Sequence, residues 1–134
     1  LVAEGLEAAL TELAEKTENV FGVSCVFTGD RAVLVHDNTV ATHLFHIAQE
    51  AVNNAIKHGK ATRISIELLS EDGRITLMVR DNGKGMPTAR SSTGIGLRIM
   101  KYRARMIGST LTIGCNGGEG AVVICSPRPH SQKG

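Results

Sequence analysis

Four polar residues, His46, Glu50, Asn54 and His58, stand four apart between positions 46 and 58, with Lys57 beside them. On a helix that spacing stacks them along one line. A carboxylate and a carboxamide one turn apart are hard oxygen donors of the kind that Mg²⁺ or its bound waters accept. Taken alone, such a line reads as a solvated face with a few i,i+4 contacts. Further along lies Asp81-Asn82-Gly83-Lys84-Gly85-Met86. Asn-Gly after a strand usually makes a hairpin, yet residues 86–92 lack the alternation of a second strand. Gly83 and Gly85 then read as hinges, or as places where backbone approaches a ligand. Asp81, at a strand end, could accept a hydrogen bond from an exocyclic amine such as that of adenine; leaving such a carboxylate unpaired would cost roughly 1–3 kcal/mol or more. A third element, Thr93-Gly94-Ile95-Gly96-Leu97, directly precedes a helix. Close backbone approach and unpaired N–H groups at a helix start make a phosphate site. Walker A spacing is absent and neither glycine pair extends to GxGxxG, so P-loop and dinucleotide-fold readings lose support.

The elements that must position these groups follow from hydrophobic pattern. Leu6, Leu10 and Leu13 put an amphipathic helix at residues 1–18. Residues 20–28 are β-branched and aromatic and predict a strand, with a short second strand at 32–35. Asp37, Asn38 and Thr39 offer N-cap chemistry and Gly59 a stop, enclosing a helix whose stripe of Val40, Leu44, Ile47, Ala48, Ala51 and Ala55 should bury, widened by Val52 and Ile56. Strands at 61–69 and 74–80 join around Glu71-Asp72-Gly73. Residues 81–93 are a loop, and 94–107 a helix ended by Gly108, with Leu97, Met100, Ala104 and Ile107 facing inward. A final hairpin pairs 110–115 with 121–125, and 127–134 form a frayed tail. Helices on one face of a mixed, mainly antiparallel sheet give an α/β two-layer sandwich over residues 1–126, a single domain.

Composition narrows the function classes. The chain has 134 residues with 15 Lys+Arg against 13 Asp+Glu, the size and balance of one globular domain. No apolar run reaches the roughly eighteen residues of a membrane span, and no secretory leader pattern is present. The first residue is Leu1, so a fragment of a longer chain is expected. Aromatics are limited to Phe21, Phe27, Phe45 and Tyr102, which argues against a base-stacking nucleic-acid surface. Cys25, Cys115 and Cys125 form no CxxC pair, and buried thiols in a reducing compartment are the expected reading. Between positions 82 and 118 Lys84, Arg90, Arg98, Lys101, Arg103 and Arg105 face no acid, a field suited to an anionic partner.

Together the three elements resemble the boxes of the GHKL ATPases, the family of gyrase, ATP-dependent chaperones, mismatch-repair ATPases and sensor histidine kinases. Residues 43–61, HLFHIAQEAVNNAIKHGKA, are similar to the N box; 81–87, DNGKGMP, to the G1 box; and 93–108 to the G2 box. The wording most resembles the catalytic domain of nitrate-sensor-like histidine kinases. The resemblance implies a Bergerat-type ATP-binding fold and transfer of the γ-phosphoryl of Mg·ATP to a histidine. Asn54 would hold Mg²⁺; Glu50 would contact metal-bound water or assist the acceptor; Lys57 and His58 would lie near phosphate or ribose. Asp81 would bind the adenine amine, with Gly83, Gly85 and Met86 shaping its pocket. Residues 86–93 would be a lid, closed over the phosphates by Thr93, Gly94, Ile95, Gly96 and Leu97. The family's common Gly-Thr in the last strand reads here as Gly120-Ala121, without the hydroxyl.

The same resemblance implies partners and place: a dimerisation and phosphoacceptor domain elsewhere in the parent chain, a cognate response regulator, no direct nucleic-acid contact, and a cytoplasmic domain of a parent anchored in the bacterial inner membrane. His36-Asp37 imitates an acceptor histidine followed by an acid, but its place before the N-box helix suits Asp37 as a cap. Two other readings stay open on this fold: an anti-sigma-type protein serine kinase, and a non-catalytic module that binds nucleotide or protein.

Overall fold

The computed structural model describes residues 5–29, 37–84, 95–115 and 120–128. Among these, α1 (Gly5–Phe21) precedes β1 (Ser24–Gly29), then α2 (Asn38–Lys57), β2 (Arg63–Glu71), β3 (Arg74–Asp81), α3 (Ile95–Met106), β4 (Ser109–Cys115) and β5 (Ala121–Pro127). The strands form one sheet in the order β1-β2-β3-β5-β4. Only the β1–β2 pair is parallel; β2–β3, β3–β5 and β4–β5 are antiparallel. The sheet is thus mixed and mainly antiparallel, as expected.

One sheet face is buried and the other open, which follows from strand period. Ile64, Ile66 and Leu68 of β2, Leu77 and Val79 of β3, and Val123 and Cys125 of β5 point into the core. There they meet Leu6, Leu10 and Ala14 of α1, Leu44, Ile47, Ala48, Ala51, Val52 and Ala55 of α2, and Leu97, Met100 and Ala104 of α3. Ala41, not part of the stripe read from the sequence, is also fully buried, whereas Val40 and Ile56 pack only at the margin of the core.

Local chemistry explains most element ends. Asp37 Oδ1 accepts from the N–H groups of Thr39 at 2.8 Å and Val40 at 3.4 Å, so it caps α2. Asp72 and Gly73 both take positive φ, 54° and 76°, between the paired Glu71 and Arg74. That is the two-residue turn whose twist matches the flanking strands.

One expectation changes. The strand placed at residues 20–28 starts only at Ser24, because α1 runs on to Phe21 and the chain reverses at Gly22 (φ 70°). Val20 and Phe21 consequently lie exposed on the last helical turn. Gly59 follows the end of α2, as expected of a stop, and the left-handed residue there is Lys60, at φ 53°. A Cβ on Gly59 would fit only tightly, 3.0 Å from the Ala55 carbonyl oxygen. The strand expected at 32–35 and the tail beyond Arg128 lie outside the described residues, as does His36 of the His36-Asp37 pair.

Candidate nucleotide site

Asp81 ends β3, where it pairs in register with Ile64. It is only 8% exposed, and its Oδ1 accepts the N–H of Gly83 at 2.8 Å. The neighbouring residue fixes the strand end that carries this buried carboxylate. Asn82 donates its own N–H to the Arg63 carbonyl at 3.1 Å. Its side-chain oxygen accepts from the N–H groups of Thr62 and Arg63, both at 2.9 Å. Its amide nitrogen donates to Thr62 Oγ1 at 3.0 Å. Asn82 therefore pins the loop after β3 to the loop before β2. Motif spacing assigns it no role, because its partners lie some twenty residues away.

The end of α2 docks on the same loop through backbone. Lys84 N–H donates to the Gly59 carbonyl at 2.8 Å. A Cβ on Gly83 would stand 2.5 Å from that same oxygen, so no side chain fits. From the other side Gly120, at φ 80°, lays its backbone directly on the Asp81 carbonyl. Three backbone contacts thus converge around one carboxylate.

Asp81 shares a small pocket with Ala51, Asn54, Ala55, Gly59, Ala121 and Val123. Asn54 comes from α2, Asp81 from β3 and Ala121 from β5, so the fold brings together a carboxamide, a carboxylate and an apolar wall. The pocket holds about 10 Å³, room for roughly one water. Larger concavities occur elsewhere, about 480 Å³ beside Arg98, Lys101, Tyr102 and Arg105 of α3 and about 400 Å³ on the open sheet face beside Arg63 and Arg80. The second also borders Asp81 and Asn82, whereas the smaller pocket joins Asp81 to Asn54 of α2 against an apolar wall, which makes it the chemical candidate. A purine entering it must displace its walls. Ala121 presents a methyl group where a threonine would present a hydroxyl.

Glu50 lies one turn before Asn54, against the first turn of α3. A Cβ on Gly96 would collide with Glu50 Oε2 and lie 3.0 Å from its Cδ. The glycine here serves a carboxylate on another helix. Farther along the seam Arg103 Nη1 stands 3.2 Å from His43 Nδ1.

The remaining expected site residues divide. Lys57 and His58 are exposed at the end of α2 and do not line the pocket; His58 N–H donates to the Asn54 carbonyl as the helix cap. The side chain of Leu97 is 6% exposed and belongs to the hydrophobic core, so only its backbone is available to a ligand. Ile95 opens α3. Gly85, Met86, Thr93 and Gly94, with the lid segment 86–93, lie outside the described residues. Arg98, Lys101 and Arg105 are exposed on α3, off its buried stripe, as their spacing required.

This arrangement defines a class. Residues 39–131 match the family described as Histidine kinase-, DNA gyrase B-, and HSP90-like ATPase, and the chain belongs to that family. It is 34% identical over 125 residues to the nitrate/nitrite sensor protein NarQ of Escherichia coli (strain K12), covering 92% of this chain and 22% of that protein. It is 37% identical over 75 residues to the signal transduction histidine-protein kinase/phosphatase UhpB of Salmonella typhimurium (strain LT2), covering 56% of this chain and 15% of UhpB. The chain thus spans less than a quarter of the length of either relative. The fold matches the ATP binding domain of PrrB from Mycobacterium tuberculosis with a TM-score of 0.74 at 20% identity, covering 93% of this chain and 95% of that one. A histidine kinase domain from Erythrobacter litoralis matches at 0.73 and 22%, covering 91% and 60%. Among the described residues no helix is long and apolar enough to cross a membrane.

Proposed function

We propose that this chain is the ATP-binding catalytic domain of a sensor histidine kinase, and that it presents the γ-phosphoryl of Mg·ATP to a histidine on a dimerisation domain of the parent protein. The observation that carries the reading is the convergence of Asn54 and Asp81 on one pocket, in a chain of this ATPase family. The donor set fits the ligand. A carboxylate accepts several hydrogen bonds at once, so Asp81 can hold an exocyclic amine while keeping the Gly83 N–H. The Asn54 carboxamide oxygen is a hard ligand that would hold Mg²⁺, which would supply charge neutralisation to the phosphates. Gly59, Ala55 and Ala121 offer the apolar surface a purine face requires.

Phosphoryl transfer needs positioning and charge neutralisation more than covalent work by the protein. Glu50, one turn from Asn54, is placed to contact metal-bound water or the incoming acceptor. The cations of α3 supply a positive field on the side where phosphates would leave the pocket. NarQ and UhpB are named as sensor and as histidine-protein kinase/phosphatase, which supports a response regulator as the downstream partner and a membrane-anchored parent.

Calorimetric titration with Mg·ATP tests the reading. Asp81→Asn replaces an acceptor by an amide that also donates, and should weaken binding about tenfold or more, the value of a lost charge-assisted hydrogen bond. Asn54→Ala should retain most metal-free nucleotide affinity while losing the Mg²⁺-dependent part and phosphotransfer to a supplied dimerisation domain. Unchanged affinity in Asp81→Asn would remove the adenine assignment.

A further inference from the structure

Besides their shared apolar core, two side-chain contacts between α2 and α3 share a period. Glu50 meets Gly96, and His43 meets Arg103. The contacting residues are seven apart on both helices, close to two turns and about 10 Å of rise. The helices therefore run antiparallel along a single seam, with the carboxylate contact at one end and the imidazole contact at the other.

The chemistry of the far contact is restrictive. A guanidinium keeps its charge and only donates. Arg103 Nη1 at 3.2 Å thus requires His43 Nδ1 to accept, which only the neutral Nε2–H tautomer does. Protonation would set two donors of like charge against each other. We propose that His43 is a positioning residue whose unprotonated ring, accepting from Arg103, holds α3 in register along α2 so that Gly96 stays seated on Glu50. The inference rests on the nucleotide reading above, because Glu50 and the start of α3 are parts of that site.

Charged groups facing His43 all act in one direction. Partial burial, the Arg103 guanidinium of α3 and His46 one turn on in α2 lower its pKa below the ordinary 6.5. The contact is present at neutral pH and is lost as pH falls through that lowered value. Linkage is reciprocal, so a nucleotide that favours the seated arrangement must lower the His43 midpoint further.

The experiment titrates the full chain with Mg²⁺ and a non-hydrolysable ATP analogue from about pH 8 to about pH 5, the range in which histidine changes charge. His43→Gln keeps an acceptor for Arg103 and cannot titrate. It should bind like the parent near neutrality and lose about fivefold less affinity on acidification, the lower end of ordinary coupling between sites. Nitrogen-15 NMR of the rings should find His43 Nδ1 unprotonated and its midpoint lowered by the analogue. Superimposable acid limbs in parent and His43→Gln, or a midpoint the analogue does not move, overturn the proposal while leaving the nucleotide site intact. A parent chain that binds no analogue at neutral pH overturns the nucleotide reading, and this inference with it. A merely structural histidine would lower thermal stability on substitution without altering the pH profile.

Discussion

Gly96 carries a demand that its motif does not state. Its place in a glycine pair before a helix suggests phosphate contact, and Gly94, its companion, lies outside the described residues. Gly96 itself makes room for Glu50. Substitution separates the two demands. Alanine is favoured over glycine in a helix by about 1 kcal/mol, and the obstructing atom is the end of a flexible side chain, so Gly96→Ala should unfold at nearly the parental temperature. On the role proposed for Glu50, displacing its carboxylate by about 1 Å should cost on the order of a hundredfold in rate. Calorimetric unfolding beside a phosphotransfer assay checks this; a Tm loss matching the activity loss would mean that packing alone was disturbed. Glu50 and Asn54 taken alone read as a solvated helix face; what singled them and Asp81 out as candidates was the resemblance of three ordered segments to the family's boxes. Leu97 carries two expectations at once: its period on α3 sends its side chain inward with Met100 and Ala104, as read, which leaves only its backbone for a ligand.

Among the elements, β5 decides the site most. Its start at Gly120 touches the carbonyl of Asp81, and Ala121 lines the pocket. Gly120→Ala meets a rigid backbone obstacle and a positive φ together, unlike Gly96→Ala. It should destabilise by about 2 kcal/mol or more and weaken nucleotide binding in proportion to any movement of Asp81; urea denaturation with parallel titration would register both. The hairpin expected around the glycine cluster is seen in the pairing of Cys115 with Ala121, and nothing in the cluster announced contact with a strand end some forty residues earlier. The end of α2 makes the same point. Gly59 was legible as a breaker, but its actual duty, accepting from Lys84 and excluding a side chain at Gly83, exists only once two loops meet.

Across the whole molecule the three cysteines report on the core. Burial pushes the thiols of Cys25 and Cys125 up to about 11, with Glu18 adding to the effect at Cys25. Cys115 is exposed. The native protein should therefore take up one equivalent of a thiol reagent per chain at mildly alkaline pH, and three after denaturation, as counted by intact mass. Both buried thiols ionise near the ordinary 9.0 once unfolded, so the unfolded state loses protons first. Stability from these groups is complete below about pH 9 and falls as pH rises toward about 11; denaturation midpoints followed across that window should decline, and less steeply in Cys125→Ser. Sequence alone determined most of the elements and their buried faces, because hydrophobic period, caps and turn residues act within a few positions of themselves, and it offered the three boxes as a resemblance. Tertiary structure decided which groups share a pocket, which glycines serve contact rather than conformation, and that His43 meets Arg103, because those outcomes depend on the register between segments that only a packed core establishes.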